Sequence, residues 1–215
     1  MGKVVELRVV GSDVVPAAVL GRVAQPPRRK KNTEARSREW LTPDEMATLI
    51  TAARKVGRYG HRDATMLMVA YLHGLRVSEL VNLRWAQVIF TSGHLHVRRL
   101  KNGSPSIQPL DGDEIRALRR LQREQQPASA FLFTSERGGP ITASAVRQIV
   151  ARAGREAQLP ITVHVHMLRH SCGYALANKG RDTRLIQDYL GHKNIANTAI
   201  YTKLSAKRFE GIWGD

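Results

Sequence analysis

The sequence predicts a mainly α-helical domain with one small antiparallel sheet, an α+β class, preceded by a basic arm. Three observations carry that expectation. From residue 42 onward, apolar residues recur at helical spacing behind good N-caps. Between residues 88 and 110 the period switches to alternation around an Asn-Gly turn. Residues 1–38 differ from the rest: "QPPRRKKNTEARSRE" holds two prolines, a run of four basic residues and almost no apolar side chains. That stretch reads as a mobile arm. The hydrophobic share of 42% in 215 residues suffices for one core, assigned to residues 39–215 with a tail from about residue 204.

The first helix fits "LTPDEMATLITAARK". Thr42 is its N-cap, Pro43 its first residue and Glu45 the partner in a capping box, while Met46, Leu49, Ile50 and Ala53 form its apolar face. A second, buried helix fits "HRDATMLMVAYLHG" and ends at Gly74; "RVSELVNLRW" opens a third, short one. "QVIFTSGHLHVRRLKNGSPSIQPL" reads as a hairpin, with Leu95, Val97 and Leu100 before the Asn102-Gly103 turn and Ile107 and Leu110 after it. "DGDEIRALRRLQREQQ" is helical, with Asp111 near its start and Arg119, Arg120 and Arg123 towards its end. "AFLFTSERGGPI" reads as a strand and turn. Three further helices follow in "TASAVRQIVARAGREAQL", "HMLRHSCGYALANKG" and "DTRLIQDYLGH", two of them stopped by Gly180 and Gly191.

Charge narrows the function. Thirty-four Lys and Arg against eighteen Asp and Glu leave +16, a field that draws the protein to polyanions, nucleic acid first. No apolar run reaches the length of about 18 residues that a spanning helix needs. Glu6, Arg8 and Asp13 break up the mildly apolar start, so neither a membrane partner nor a signal peptide is expected. Cys172 is the only cysteine, which excludes a disulfide framework and fits a reducing cytoplasm.

Six polar residues sit where helices end or turns expose them: Arg76, Lys101, His166, Arg169, His192 and Tyr201. Each has a plain structural explanation. Arg76 suits a helix-surface pair with Glu79 three residues on, and Tyr201 suits a half-buried anchor. As a set they offer more. Two guanidinium forks can each bind two oxygens of one phosphate and stabilise charge that develops on it. A phenol with a pKa near 10 becomes a nucleophile if an imidazole or a cationic cluster helps remove its proton. A lysine can protonate the leaving alkoxide. A metal reading rests on His164, His166 and His170, with His94 and His96 alternating along the hairpin. It lacks an acidic third ligand, so no metal and no cofactor is expected. His170 reads instead as a structural residue behind the six.

The order Arg76, Lys101, His166-x-x-Arg169, His192, Tyr201 resembles the active-site signature of the tyrosine recombinases, the phage-integrase family. "HGLRVSEL" resembles its first arginine box and "HMLRHSCGYALANKGRDTRLIQDYLGHKNIANTAIYT" its second. The wording of that box and the closing "RFEGIW" are most similar to the short recombinases that invert fimbrial promoter switches. The resemblance spans roughly residues 40–213 and implies the fold of that family's catalytic domain.

The resemblance also implies roles. Arg76 and Arg169 hold the scissile phosphate, Tyr201 attacks it to leave a 3′-phosphotyrosyl link, and Lys101 protonates the departing 5′-oxygen. His166 assists proton transfer at Tyr201, His192 donates to the transition state, and Glu79 orients Arg76 or His166. Double-stranded DNA with paired sites, a homotetramer on that DNA and accessory DNA-bending proteins are the implied partners.

Longer members carry a separate helical domain of about 80–100 residues that closes over DNA, and the segment before residue 39 is too short for one. Arg28, Arg29, Lys30 and Lys31 are therefore assigned to DNA phosphates, together with Arg98 and Arg99 at the strand end. Phe209, Ile212 and Trp213 are assigned to a contact with a neighbouring protomer. The rival readings are a catalytically inactive DNA-binding regulator with this fold and a topoisomerase-like nicking enzyme.

Overall fold

The computed structural model describes residues 38–99, 104–125 and 128–203. These belong to the second of two units into which the chain divides, Arg36–Asp215. Arg28, Arg29, Lys30 and Lys31 of the arm, Lys101 of the turn, and Phe209, Ile212 and Trp213 of the tail lie outside the described residues.

Helix α1, Pro43–Lys55, begins as its sequence dictates. Thr42 accepts from the Glu45 N–H at 3.2 Å and Glu45 accepts from the Thr42 N–H at 2.8 Å, the reciprocal capping box. Met46, Leu49 and Ala53 on its inner face are buried. Helix α2, Gly60–Leu72, is the most enclosed, and α3, Val77–Val81, follows after a short turn. A 3₁₀ turn at Trp85–Gln87 leads into a three-stranded antiparallel sheet of order β1-β2-β3: β1 Val88–Ile89, β2 His94–Val97, β3 Ser106–Pro109. Then come α4 Gly112–Glu124, α5 Ala143–Glu156, α6 Val165–Asn178, α7 Thr183–Leu190 and α8 Ala196–Lys203. The expected strand at "AFLFTSERGGPI" reduces to two isolated bridges, Arg84↔Phe131 and Thr134↔Pro140.

The hairpin departs from the expected pattern on its second strand. Leu95 and Val97 are buried, but Leu95 pairs with Gln108, so Gln108 shares their inward face and Ile107 points out, 64% exposed. A buried amide must be satisfied, and this one is. Its oxygen is 2.8 Å from His73 Nδ1, and its nitrogen donates to the Tyr189 carbonyl at 2.8 Å.

Two apolar clusters result. The larger joins α1, α2, α4, α5 and the sheet around Leu49, Met66, Leu95, Leu118 and Phe133; each such side chain contributes about 1.5–3 kcal/mol on burial. The smaller consists of Cys172, Ala177, Ile186, Leu190 and Tyr201 and binds α6, α7 and α8 together. Cys172 is an inert core group there, its thiol pushed up to about 12 by burial. No helix among the described residues is long and apolar enough to cross a membrane.

Candidate active site

The site forms where the C-terminal ends of α2 and α7 meet. A helix end leaves its last carbonyls without intrahelical partners and carries partial negative charge. Here two guanidinium groups supply the missing donors. Arg169, on the inner face of α6, donates from Nη1 to the Gly74 carbonyl at 2.5 Å and from Nη2 to the Leu190 carbonyl at 2.8 Å. Arg99, just past β2, donates to the carbonyls of Gly74 (3.3 Å), His73 (3.0 Å) and Tyr189 (2.5 Å). The approach is close because Gly74, at φ +54°, has no Cβ; one added there would stand 2.3 Å from Leu190 Cδ2.

Arg76 lies at the N-cap of α3, two residues beyond that shared carbonyl. Its N–H donates to Glu79 Oε2 at 3.0 Å and its Nη1 to Glu79 Oε1 at 2.8 Å. The Glu79 side chain is 2% exposed and that of Arg76 26%, so the carboxylate anchors from below a guanidinium that reaches the surface. Burial works to raise the Glu79 pKa. The Arg76 N–H and the Arg99 charge outweigh it, and Glu79 stays below its usual value and ionised. Glu79 thus bonds Arg76, one of the two residues it was expected to orient.

Arg169 is 1% exposed, and its pKa is lowered to about 10, first by burial and then by the positive charges of Arg76 and Arg99. It remains a cation at neutral pH. Arg76 and Arg169 thus converge closely enough to repel.

Tyr201 sits on α8 with its ring against α6. It is 1% exposed, more deeply enclosed than the half-buried anchor of the plain structural explanation. The reason is Gly173, whose missing side chain opens a slot: a Cβ there would lie 2.6–2.8 Å from three carbons of the Tyr201 ring. The Tyr174 ring stands edge-on to it at 5.1 Å, and the His192 ring is stacked at 6.3 Å. The Tyr201 hydroxyl lies 3.0 Å from His170 Nδ1. Burial pushes the phenol up to about 12, and the Arg169 charge pulls against that rise.

The imidazole at the Tyr201 hydroxyl is therefore that of His170, expected behind the site, and not that of His166. His166 stands edge-on to His170 at 4.5 Å. Though His166 is exposed, desolvation and then the Arg169 charge hold its pKa below the usual value. Burial lowers His170 to about 4, with His166 adding to the shift. Burial likewise lowers His192 to about 4, helped by Arg169 and Arg76. Both rings are neutral at pH 7. His192 Nδ1 is 2.8 Å from Thr198 Oγ1, which fixes the ring against α8.

The structure thus brings together Arg76, Glu79, His166, Arg169, His192 and Tyr201. It separates the two arginines assigned to DNA on the strand end. Arg98 is exposed, whereas Arg99 is buried and committed to Glu79 and three carbonyls, so its assignment to DNA is corrected. Its parity with Leu95 and Val97 signalled the inward direction. His170 was also legible, one helical turn beyond His166 on the same face. His164 faces elsewhere, with Nε2 2.6 Å from Glu39 Oε2.

The sequence profile of the phage integrase family matches residues 39–208. The chain belongs to that family. Among its relatives, the type 1 fimbriae regulatory protein FimE of Escherichia coli (strain K12) is 41% identical over 181 residues, spanning 82% of this integrase-family chain and 91% of FimE. The type 1 fimbriae regulatory protein FimB of the same strain is 39% identical over 188 residues, spanning 86% and 94%. The crystal structure of XerA recombinase superposes with a TM-score of 0.68 at 29% identity, covering 78% of this chain and 61% of that one. The mainly helical fold with its small sheet is that of the tyrosine recombinase catalytic domain.

Proposed function

We propose that this protein is a tyrosine-type site-specific DNA recombinase that cleaves and rejoins DNA through a 3′-phosphotyrosyl intermediate. The observation that carries the proposal is the gathering of Arg76, Arg169, His170 and Tyr201: the two arginines act electrostatically on each other and on the Tyr201 phenol, whose hydroxyl lies 3.0 Å from His170 Nδ1, on a chain of net charge +16. The two guanidiniums hold the non-bridging oxygens of the scissile phosphate and neutralise the charge that grows there. Tyr201 Oη attacks phosphorus while its proton passes to the His170–His166 pair. The bond to the 5′-oxygen breaks, and Lys101 protonates that oxygen. His192 donates to the phosphorane. Because the phosphotyrosine retains the energy of the broken ester, a free 5′-hydroxyl from another duplex reverses the step, and religation draws on no nucleotide.

Arg28, Arg29, Lys30, Lys31 and Arg98 contact the DNA backbone, and Phe209, Ile212 and Trp213 link protomers into a tetramer on paired sites. DNA bending by accessory proteins fits such an assembly. Kinship with FimE and FimB supports a role in switching a fimbria-type locus, in the cytoplasm.

The test is a nicked suicide substrate incubated with the parent protein and with Tyr201→Phe. The parent forms a covalent adduct that survives denaturation; the Phe variant binds DNA with near-parental affinity and forms none. An adduct with Tyr201→Phe removes the nucleophile assignment. Its absence with the parent leaves the inactive regulator, and an adduct without strand exchange between duplexes leaves the nicking enzyme.

A further inference from the structure

We infer that Arg99 is a positioning residue for the phosphate clamp, one that locks the β2–β3 hairpin to the turn carrying Arg76. The inference rests on the recombinase reading above. The Arg99 side chain is 0% exposed, and its Nη1 lies 3.0 Å from Glu79 Oε2. The other oxygen of that carboxylate holds Arg76 Nη1 at 2.8 Å, and Oε2 also accepts the Arg76 N–H at 3.0 Å. Glu79 is therefore a bridge with a buried arginine on one side and the surface-reaching arginine on the other. Without Arg99 the carboxylate loses the charge that fixes it from beneath, and Arg76 loses its fixed partner.

The same guanidinium reaches outward in three directions. Nη1 shares the Gly74 carbonyl with Arg169, and Nη2 takes the carbonyls of His73 and Tyr189. Gln108, on the partner strand, donates to the same Tyr189 carbonyl at 2.8 Å, so both strands of the hairpin grip one atom at the end of α7. The seat is shaped for this side chain: a Cβ on Gly191, itself at φ +67°, would stand 2.6 Å from Arg99 Cγ. A buried cation whose role is only to stabilise is replaceable by a packed apolar group. The arrangement here instead uses the planar fork to set the relative positions of Arg76, Arg169 and the strand end. Lys101 follows Arg99 by two residues in the chain. One side chain thus orients the clamp and anchors the strand that leads to the proposed general acid.

The test compares Arg99→Met and Arg99→Lys with the parent on two substrates at saturating protein. One carries an ordinary scissile phosphodiester, the other an uncharged scissile methylphosphonate. On the phosphodiester both variants lose about 100-fold in adduct formation, the scale of a displaced reacting group, while DNA binding stays near that of the parent. On the methylphosphonate the loss shrinks to less than about 10-fold, because the ground state is neutral and the phosphorane carries one negative charge fewer for the clamp to neutralise. The double variant Arg76→Met/Arg99→Met loses less than the product of the two single losses, since much of the Arg99 effect passes through Arg76. Equal losses on the two substrates, additive losses in the double variant, or parental activity in Arg99→Lys each overturn the inference. Should the Met variant fail to fold by thermal melting, the Lys variant, which keeps the charge and loses the fork, carries the same comparison. Adduct formation by Tyr201→Phe in the same assay would instead overturn the assignment of Tyr201 as nucleophile, and no adduct with the parent protein would overturn the recombinase reading itself.

Discussion

Gly173→Ala isolates the placement of Tyr201, the proposed nucleophile, from every other property of the protein. The added methyl would stand 2.6, 2.7 and 2.8 Å from ring carbons of Tyr201, where ordinary contact begins at 3.4 Å. A flat ring held between the stacked His192 ring and the edge-on Tyr174 ring has no flexible end to swing aside, so it and α8 must retreat by roughly 1 Å. Stability changes little. Overpacking costs about 1–3 kcal/mol, and replacing a mid-helix glycine by alanine returns about 1 kcal/mol. A net loss of about 0–2 kcal/mol lowers the melting temperature by less than about 8 °C for a domain of this size. Catalysis changes far more: a misplacement of about 1 Å costs on the order of 100-fold in rate. The assay is single-turnover adduct formation on a suicide substrate at saturating protein, beside a melting curve and a DNA-binding titration. An adduct rate equal to the parent's refutes the slot argument. So does a rate loss matched by an equal loss of DNA affinity.

Other perturbations probe the rest of the molecule. His170→Phe keeps a flat ring at that position but removes the ring nitrogen 3.0 Å from the Tyr201 hydroxyl. Adduct formation should fall by about 100- to 10,000-fold in a single-turnover assay, and an unchanged rate would return the proton to His166. The pKa values of His170 and His192, lowered to about 4, lie below the usual value for an unfolded chain, so the folded state binds fewer protons than the unfolded one as acid is added. Stability is then complete above about pH 6.5 and declines as the pH falls toward 4, by at most about 3 kcal/mol per ring. A denaturant midpoint that stays constant from pH 7 to 4 would contradict this. Deleting residues 1–38 should flatten the dependence of DNA affinity on salt, its logarithmic slope falling by about 0.9 for each phosphate that the arm neutralises, measured by titration at several ionic strengths; an unchanged slope removes the arm from the interface. Trp213→Ala should weaken cooperative assembly on paired sites in gel-shift titrations and spare binding to a single site, whereas equal loss on both would mean that the tail folds onto its own domain.

The elements of this fold were legible because their signals are local. Thr42, Pro43 and Glu45 fix the start of α1 within four residues, and Gly191 in the left-handed region stops α7 as its sequence announces. The candidate set Arg76, His166, Arg169, His192 and Tyr201 was nameable for a similar reason, since order and spacing along the chain survive without coordinates. What escaped were properties set by partners distant in the sequence. The slot for Tyr201 depends on Gly173 in another helix, the inward turn of Gln108 on its register with Leu95, and the burial of Arg99 on carbonyls at residues 73, 74 and 189. In each case a polar or aromatic side chain was read by its type, and tertiary hydrogen bonding or packing overrode that reading.

The paired arginines at the ends of α2 and α7 also bear on when a newly made chain becomes dangerous to its host. Arg169 reaches back 95 residues to Gly74, and Arg99 reaches forward 90 residues to Tyr189. Bonds of such long sequence separation form late in folding. A ribosome-bound fragment that already exposes Arg76 holds neither the second guanidinium nor the tyrosine. The proposed cleavage chemistry is therefore assembled only once the last helices are in place.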